Sequence, residues 1–590
     1  MRRIIFDFEV FKHDTLLGAL ILDDENSTLF QSWNLDEIRD FYLDNRESLW
    51  IGHNNEGYDN FILEAIVNGN DPYETSARRI AKADYFIKPK LDIYSIDLMK
   101  IGSRSGFFSL KMTEGALGKN ISETEVDFNL DRPLTDDEKR LTESYNQKDL
   151  EQTFYNYTEL RDKIQIRLDL CREFGLSLSH LSDTESKLGA VVLGAHKVYG
   201  IEKMKEQPKE LDDLRLENKE VLDFYWNQEY LKNRHFIVKT CGDTITGGSG
   251  GLHSALRKTY VERALYFDIS GFYNLTMINK GLLPRTLDEE GRARYIHCYE
   301  EQLKLKKTNP QMRKVYKTIL LAVFGSMLNK YTDFYDPYRG NLVMIVGQLY
   351  MIDLLEKLNG KVNLVQTNTD GIIVEPLDWE KRNEIISIVE EWEKRTGYVV
   401  KKEEIHDIWQ RDVNNYIYRT EDDEIVVVGD FGTYEHWKKI FDRNIWQSKE
   451  LPIISQCVVD FLMKGKYPEQ TIDENRENLR MFQFICKKGS YDYLEYDETK
   501  GFGNSSETRL QNVNRAFALK DDETNGMIYK VKGNRKAKVS GLPDNVFVCN
   551  SNITEAKTDL LNMIDYDWYV RKAYEKINSF LPDDLCLKPL

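Results

Sequence analysis

No apolar run in this 590-residue chain approaches the roughly 20 residues needed to cross a bilayer, so a membrane-spanning protein is not expected. The opening MRRIIFDFEV has no apolar segment ending in a cleavage site and enters a strand at once, which argues against secretion. Cysteine is sparse: there are seven, and no two form a CxxC pair. That argues against structural zinc and a disulfide framework, and it fits a reducing cytoplasm, where the protein is expected. A basic excess is missing too. Lys and Arg number 81 against 98 Asp and Glu, a net charge of -17, which points away from a simple polyanion binder. Internal repeats and low-complexity tracts are absent.

What is present is a globular composition, 41% hydrophobic and 30% charged, in a chain long enough for several domains with a large buried core. A nucleic-acid enzyme of this charge needs locally basic tracks. Two occur, KLKKTNPQMRKVYK from Lys304 to Lys317 and KVKGNRKAK from Lys530 to Lys538. Acidic residues gathered into metal sites would lower the net charge without opposing such binding.

The pattern along the chain is α/β and multidomain. RIIFDFEVF, LLGALIL and LWIGHN read as strands, and a long amphipathic helical stretch starts at Leu134. A helix-rich connector is expected to about Val238. The run GGSGG, Gly247 to Gly251, is the clearest flexible punctuation and the expected junction of two functional bodies. ALYFDISGFYNLTM opens a second αβ body, and residues 291–330 read as helical. Next, VNLVQTNTDGIIVEP reads as a β-hairpin, with Val and Ile in its arms and Asp-Gly supplying the turn. A helix with Ile385, Val389 and Trp392 on one face follows, then two strand-like runs. This order suggests a split βαβ sheet.

Two groups of carboxylates carry the chemistry. In the first, Asp7 and Glu9 lie two apart on a strand and share a face. Asn55-x-x-Tyr58-Asp59 follows another strand, with Asn55 in support, and Tyr145-x-x-x-Asp149 sets a phenol and a carboxylate one helical turn apart. Four carboxylates with a tyrosine make a two-metal nuclease constellation, in which two Mg²⁺ would clamp the attacking and leaving oxygens and Tyr145 would orient the water. In order, these elements resemble the three exonuclease motifs of the DnaQ-like 3′–5′ proofreading domain of family B DNA polymerases. The segment VDFNLDRPLTDDEKRLTESYNQKD looks most like that of small, phi29-like phage polymerases.

The second group follows the same family. Asp268 and ISGFYN resemble polymerase motif A, which implies that Asp268 binds both metals and Tyr273 excludes a ribose 2′-hydroxyl. Gly271 and Asn274 stand where the family has Ser and Pro. Lys317 to Gly325 resembles motif B. Lys317 would pair with the triphosphate, assisted by Arg313 and Lys306, and Phe324 would pack on the nascent base pair; Leu321 replaces the usual Asn. The hairpin takes the place of motif C, with Asp370 as metal ligand and Asn368 and Thr369 in support. Asn368 replaces an Asp and Gln366 a Tyr. GGSGGLH and Asn414-Asn415-Tyr416 occupy the places of the family's Y-x-G-G linker and K-x-Y primer motif.

The resemblance implies an RNase H-like exonuclease domain (1–175), a helical connector (176–250), a palm (251–290 and 345–430), fingers (291–344) and a thumb with the C-terminal region (431–590). Its implied cofactors are two Mg²⁺ per active site, with Mn²⁺ as a substitute. Its implied partners are primer–template DNA, dNTPs and replication accessory proteins, and a monomer is expected. Short intervals between the motifs leave no room for terminal-protein insertions, so a minimal polymerase of low processivity, encoded by a phage or mobile element, is the leading expectation. An exonuclease with an inactive polymerase body is the alternative, and a nucleic-acid-binding structural protein a third.

Overall fold

The structure is a computed structural model. It describes the chain except residues 24–26, 82–86, 103–107, 256, 435, 442–449, 501–503, 521–523, 555–557 and 588–590. The chain forms two compact units: Met1–Thr184 with Glu435–Ile453 and Ile472–Tyr569, and Glu185–Tyr434 with Ile454–Thr471 and Val570–Leu590. The boundary thus falls at Thr184/Glu185. It does not fall at the glycine run, whose first two residues close a strand inside the second unit. Among the described residues, no helix is long and apolar enough to cross a membrane.

The first unit is built on five strands, β1 (Arg3–Val10), β2 (Thr15–Leu22), β3 (Ser27–Ser32), β4 (Leu49–Gly52) and β5 (Tyr94–Asp97), in the order β3-β2-β1-β4-β5. β1 pairs antiparallel with β2 and parallel with β4. Alternate residues of β1 enter two cores. Ile4, Phe6 and Phe8 pack with Trp50 and Ile62 on one side, and Ile5 packs with Leu150 and Leu160 on the other. Asp7 and Glu9 share the face of Ile5 by the strand's two-residue period. Helix α1 (Asp59–Val67) follows β4, and a short helix α2 (Leu110–Ala116) starts at the Ser109 cap.

The helical stretch expected from Leu134 is α3 (Asp136–Glu159), and Arg161–Glu173 forms a second helix after it. A reciprocal cap starts α3: Glu138 N donates to Thr135 Oγ1 at 3.3 Å, and Thr135 N donates to Glu138 Oε2 at 2.8 Å. A close approach then brings α3 onto the sheet. A Cβ placed on Gly18, the residue opposite Asp7, would stand 1.7 Å from Asn146 Oδ1, so a side chain there would displace the Asn146 amide.

Residues expected to form one C-terminal body from 431 onward are divided between the two units. In the first unit, two small sheets of three and four strands lie between Phe484 and Lys538 and at Val546–Val548. Arg515, fully buried on the strand Val513–Ala518, ties the three-stranded sheet to the N-terminal part. Its guanidinium donates to Lys119 O (2.7 Å), Gly115 O (3.2 Å), Ser551 O (2.6 Å), Cys549 O (3.3 Å) and Gln483 Oε1 (2.7 Å). Burial without a carboxylate pulls it down to about 10. This contact joins positions roughly 400 residues apart in the chain, which no local pattern announces.

The second unit carries a ten-stranded antiparallel sheet: β6 (His235–Thr240), β7 (Asp243–Gly248), β8 (His253–Ala255), β9 (Thr259–Val261), β10 (Ala264–Ile269), β11 (Val362–Asn368), β12 (Gly371–Pro376), β13 (Val400–Asp412), β14 (Asn415–Thr420) and β15 (Ile425–Val428). Its order is β15-β14-β13-β10-β12-β11-β8-β7-β6, with β9 on β13. The central order β13-β10-β12-β11 is the split βαβ arrangement expected from the sequence.

Four helices link β10 to β11: α4 (Phe272–Asn279), α5 (Glu289–Thr308), α6 (Pro310–Ser326) and α7 (Pro337–Leu358). α8 (Arg382–Thr396) links β12 to β13. Phe272, Tyr350 and Trp392, from α4, α7 and α8, converge on Tyr398 with ring centroids 5.2 to 5.4 Å away.

Two expectations are corrected here. The hairpin turn is Thr369-Asp370, with Thr369 at φ 53°; Gly371 already belongs to β12 and opposes Asp268. Space at Gly371 is tight, since a Cβ there would press on the Tyr266 ring at 3.0 Å. The connector is also less helical than expected between 194 and 218. Side-chain ties hold that irregular path: Arg339 pairs with Glu206 at 2.8 Å and Lys280 with Asp213 at 2.6 Å.

Arg515→Ala would leave several buried acceptors unpaired, each costing about 1–3 kcal/mol. Urea unfolding should show a loss above about 3 kcal/mol, and a loss under about 1 kcal/mol would contradict this account.

Two candidate carboxylate sites

At the first site, Asp7, Glu9 and Asp149 offer oxygens that all lie within 4.8 Å of one another. β1 supplies the first two, and α3, drawn in over Gly18, supplies the third. Asp59 is the first residue of α1, and its Oδ1 accepts from Phe8 N at 3.1 Å, between Asp7 and Glu9. The four expected carboxylates are therefore together. Tyr145 joins them through a hydrogen bond with Asp149. Asn55 does not join the carboxylates in these contacts. Its amide is fully buried and pins the loop before α1, accepting from Ser95 Oγ at 2.8 Å and donating to Ile96 O and Gly52 O at 3.2 and 3.3 Å.

Burial and mutual repulsion set the electrostatics. Asp7 and Glu9 are pushed well above the carboxylate range, first by desolvation and then by neighbouring carboxylates. Desolvation raises Asp59 to about 7 and also raises Asp149, against the pull of Lys111. Four carboxylates beside one lysine leave an excess of negative charge, and an all-oxygen donor set of this kind fits a hard divalent cation.

Three residues here escape the sequence reading. Lys111 donates to Asp149 Oδ1 at 2.5 Å and Glu114 Oε1 at 3.2 Å, and lies 4.6 Å over the Tyr145 ring. Asn146 donates to Asp7 Oδ2 at 3.1 Å. Asp97, raised to about 6 by burial, accepts from Asn54 N and Met99 N and holds the loop behind Asp59. The spacing of Asn146 from Asp149 was available as a signal; Lys111 and Asp97 had none.

At the second site, Asp268 ends β10 and Asp370 occupies the turn between β11 and β12. Register sets Asp268 opposite Gly371, and Ile269 N donates to Asp370 O at 2.8 Å. Asp268 is raised by desolvation, partly offset by Lys401, its cross-strand neighbour on β13. The Asp370 side chain is exposed at the tip, yet the surrounding protein and the charge of Asp268 raise it. This pair, too, is an all-oxygen set that fits divalent cations. Tyr273 and Phe324 stack at 3.9 Å with planes 20° apart, joining α4 to α6. Asp370 lies near enough to contribute to the raised Tyr273 phenol, after desolvation.

Lys317, Arg313 and Phe324 share a face of α6, with exposed Leu321 between Lys317 and Phe324. Lys306 lies near the facing end of α5. Among the described residues, none of these three cations forms an ion pair with Asp268 or Asp370. Asn368 and Thr369 sit at the hairpin tip, with Thr369 Oγ1 3.4 Å from Asn368 Oδ1. Lys401 and Tyr266 are further residues that the sequence reading missed, and Tyr416, quoted there in a primer motif, bonds to Gln366.

No family model matches the chain, and no curated protein does. Among solved structures, the family B DNA polymerase from the hyperthermophilic archaeon Pyrobaculum calidifontis resembles it with a TM-score of 0.45 and 13% identity, covering 100% of this chain and 79% of that one.

Raised carboxylates bind protons more tightly in the folded than in the unfolded state, so their contribution to stability is full below about pH 4 and is lost as pH rises. With Asp97 near 6 and Asp59 near 7, the loss spans about pH 4 to 7. In EDTA, the melting temperature should fall over this window. Excess Mg²⁺ at pH 8 should restore about 2–3 kcal/mol if its concentration is ~100 times the dissociation constant. A melting temperature insensitive to Mg²⁺ would count against a metal site.

Proposed function

We propose that the chain is a template-directed DNA polymerase with a 3′–5′ proofreading exonuclease, acting on primer–template DNA and dNTPs as a monomer. The observation that supports this most is the presence of two separate carboxylate clusters, each seated on its own sheet, in different compact units of one chain. The strand order β3-β2-β1-β4-β5 supports an RNase H-like reading of the first unit. The split βαβ sheet with an αα excursion supports a palm-and-fingers reading of the second. Replication of a phage or mobile-element genome, without terminal-protein priming, belongs to the same proposal.

Bound Mg²⁺, or Mn²⁺ in its place, would supply the charge that stabilises an in-line phosphoryl transfer at each site. Asp7, Glu9, Asp59 and Asp149 would hold the cations at the first site, and Asp268 and Asp370 at the second. In the first, Phe8 N fixes Asp59 between the two β1 carboxylates. The Tyr145 hydroxyl, kept protonated by desolvation and by its carboxylate neighbours, orients a water beside Asp149. Lys111 limits repulsion within the cluster. In the second, the stacked Tyr273–Phe324 pair forms a rigid wall beside Asp370. It bounds the space for the incoming sugar and excludes a 2′-hydroxyl. Lys317, Arg313 and Lys306 present positive charge to a triphosphate along the αα hairpin.

A second reading, an exonuclease with an idle second site, is favoured by Asn368 in place of a carboxylate. A labelled primer–template with Mg²⁺, with and without dNTPs, separates the two. Asp370→Ala should lower extension by about a thousandfold or more and spare degradation, while Asp7→Ala should do the reverse. Degradation without extension in the wild-type protein would select the second reading.

Tyr273→Ala should raise ribonucleotide incorporation relative to deoxynucleotide by about tenfold or more, the scale of one lost steric contact. Unchanged discrimination would remove Tyr273 from that role.

A further inference from the structure

Asp7 and Glu9 are fixed by β1, but the place of Asp59 depends on where α1 begins. That helix starts at Tyr58 (φ -142°, ψ -72°), whose side chain caps none of its free N–H groups. Phe8 N holds one oxygen of Asp59 from the side of the sheet. The helix start is held from the other side.

The helix Pro72–Ala81 supplies that hold. The Arg79 guanidinium donates to Gly57 O from Nε at 3.1 Å and from Nη2 at 2.8 Å, two residues before Asp59. Its central carbon lies 3.9 Å from the centroid of the Phe61 ring, two residues after Asp59. One side chain thus grips the chain on both sides of the carboxylate. Ser76 shares the face of Arg79, one turn earlier, and is buried in a hydrogen bond with the Tyr58 hydroxyl at 2.6 Å.

The gripped turn is compact. Gly57 N donates to Asn54 O at 2.9 Å, and a Cβ on Gly57 would stand 2.5 Å from Asn54 Oδ1. Asp97 accepts from Asn54 N at 2.9 Å, so Arg79 and Asp97 hold opposite ends of one turn. Two N–H groups of a planar fork on one carbonyl fix direction as well as distance, which a lysine ammonium in the same place would not do.

We propose that Arg79 is a positioning residue of the first site: by clamping Gly57 O and the Phe61 ring, it seats the start of α1 so that Asp59 joins Asp7 and Glu9 as a ligand of the divalent cation. This rests on the proposed function of that site. The role is geometric, so positive charge alone does not fill it.

The first test is single-turnover degradation of single-stranded DNA with Mg²⁺. Arg79→Ala and Arg79→Lys should both lower the maximal rate by about tenfold to a hundredfold, the scale of a reacting group misplaced by about 1 Å. The DNA concentration for half-maximal rate should change by less than about twofold, because substrate binding is not what is lost. An open pocket bordered by Phe61, Ala65 and Arg79 leaves room for a free guanidinium ion once the side chain is cut back. Added guanidinium should therefore raise the rate of Arg79→Gly several-fold. Primer extension by all three variants should stay at the wild-type rate.

The second test needs no turnover or metal. Phe8 N–H reports the place of Asp59, and its hydrogen exchange is followed by NMR in EDTA on protein labelled at phenylalanine nitrogen. Exchange should quicken about tenfold in Arg79→Ala. In an Asp59→Ala background, where that bond is already gone, adding Arg79→Ala should change it by less than about twofold. A general loosening of the unit would quicken exchange in both backgrounds.

Full nuclease rate in Arg79→Lys, a loss confined to DNA half-saturation, or equal quickening of Phe8 exchange in both backgrounds would overturn the proposal. If melting curves show that Arg79→Ala does not fold, Arg79→Lys carries the same measurements. Failure of the wild-type protein to degrade DNA would instead overturn the proposed function of the site, so the two failures are distinguishable.

Discussion

Burial makes Asp7, Glu9, Asp59 and Asp149 costly to ionise, and at Asp7 and Glu9 repulsion from the neighbouring carboxylates adds to that cost. A loop-borne cluster would relieve that repulsion by moving apart. Here two of the four are fixed by a strand paired on both sides, a third is held by the backbone of that strand, and the fourth is carried by a helix seated over Gly18. The capping of α3, the glycine opposite Asp7 and the reach of Lys111 can all be understood as consequences of holding like charges together.

The second site uses the same device with less burial. Sheet register, with no helix involved, sets Asp268 beside the Asp370 turn. Thr369, a β-branched residue at positive φ, marks a turn held in a conformation that its own preferences oppose. The stack of Tyr273 on Phe324 joins two helices beside that turn, so the wall of the site depends on packing between elements about fifty residues apart.

Much of this was legible from local periodicity. The two-residue period of β1 puts Asp7 and Glu9 on one face, the helical period of α3 pairs Tyr145 with Asp149, and the β-branched arms around the NTDG turn identify the hairpin. Long-range contacts were not legible. Lys111 reaches Asp149 across 38 residues, Arg515 reaches Gly115 across 400, and neither has a local pattern that names its partner. The glycine run differs for a related reason: its composition marks a junction, but its first two residues pair with β6 and the Gln348 side chain fixes the path of Gly248 and Gly250.

By itself, the sequence determined which residues are carboxylates on shared faces, where the strands and helices run, and the split βαβ order of the second unit. Those features follow from periods of two and 3.6 residues, which are properties of the neighbouring chain alone. Tertiary structure decided the rest: that Lys111 and Asn146 enter the first cluster, that Asn55 serves the loop behind it, and where the chain divides into units. Register and packing between distant segments settle those questions, because they depend on which strand lies beside which, a choice made by the whole buried core.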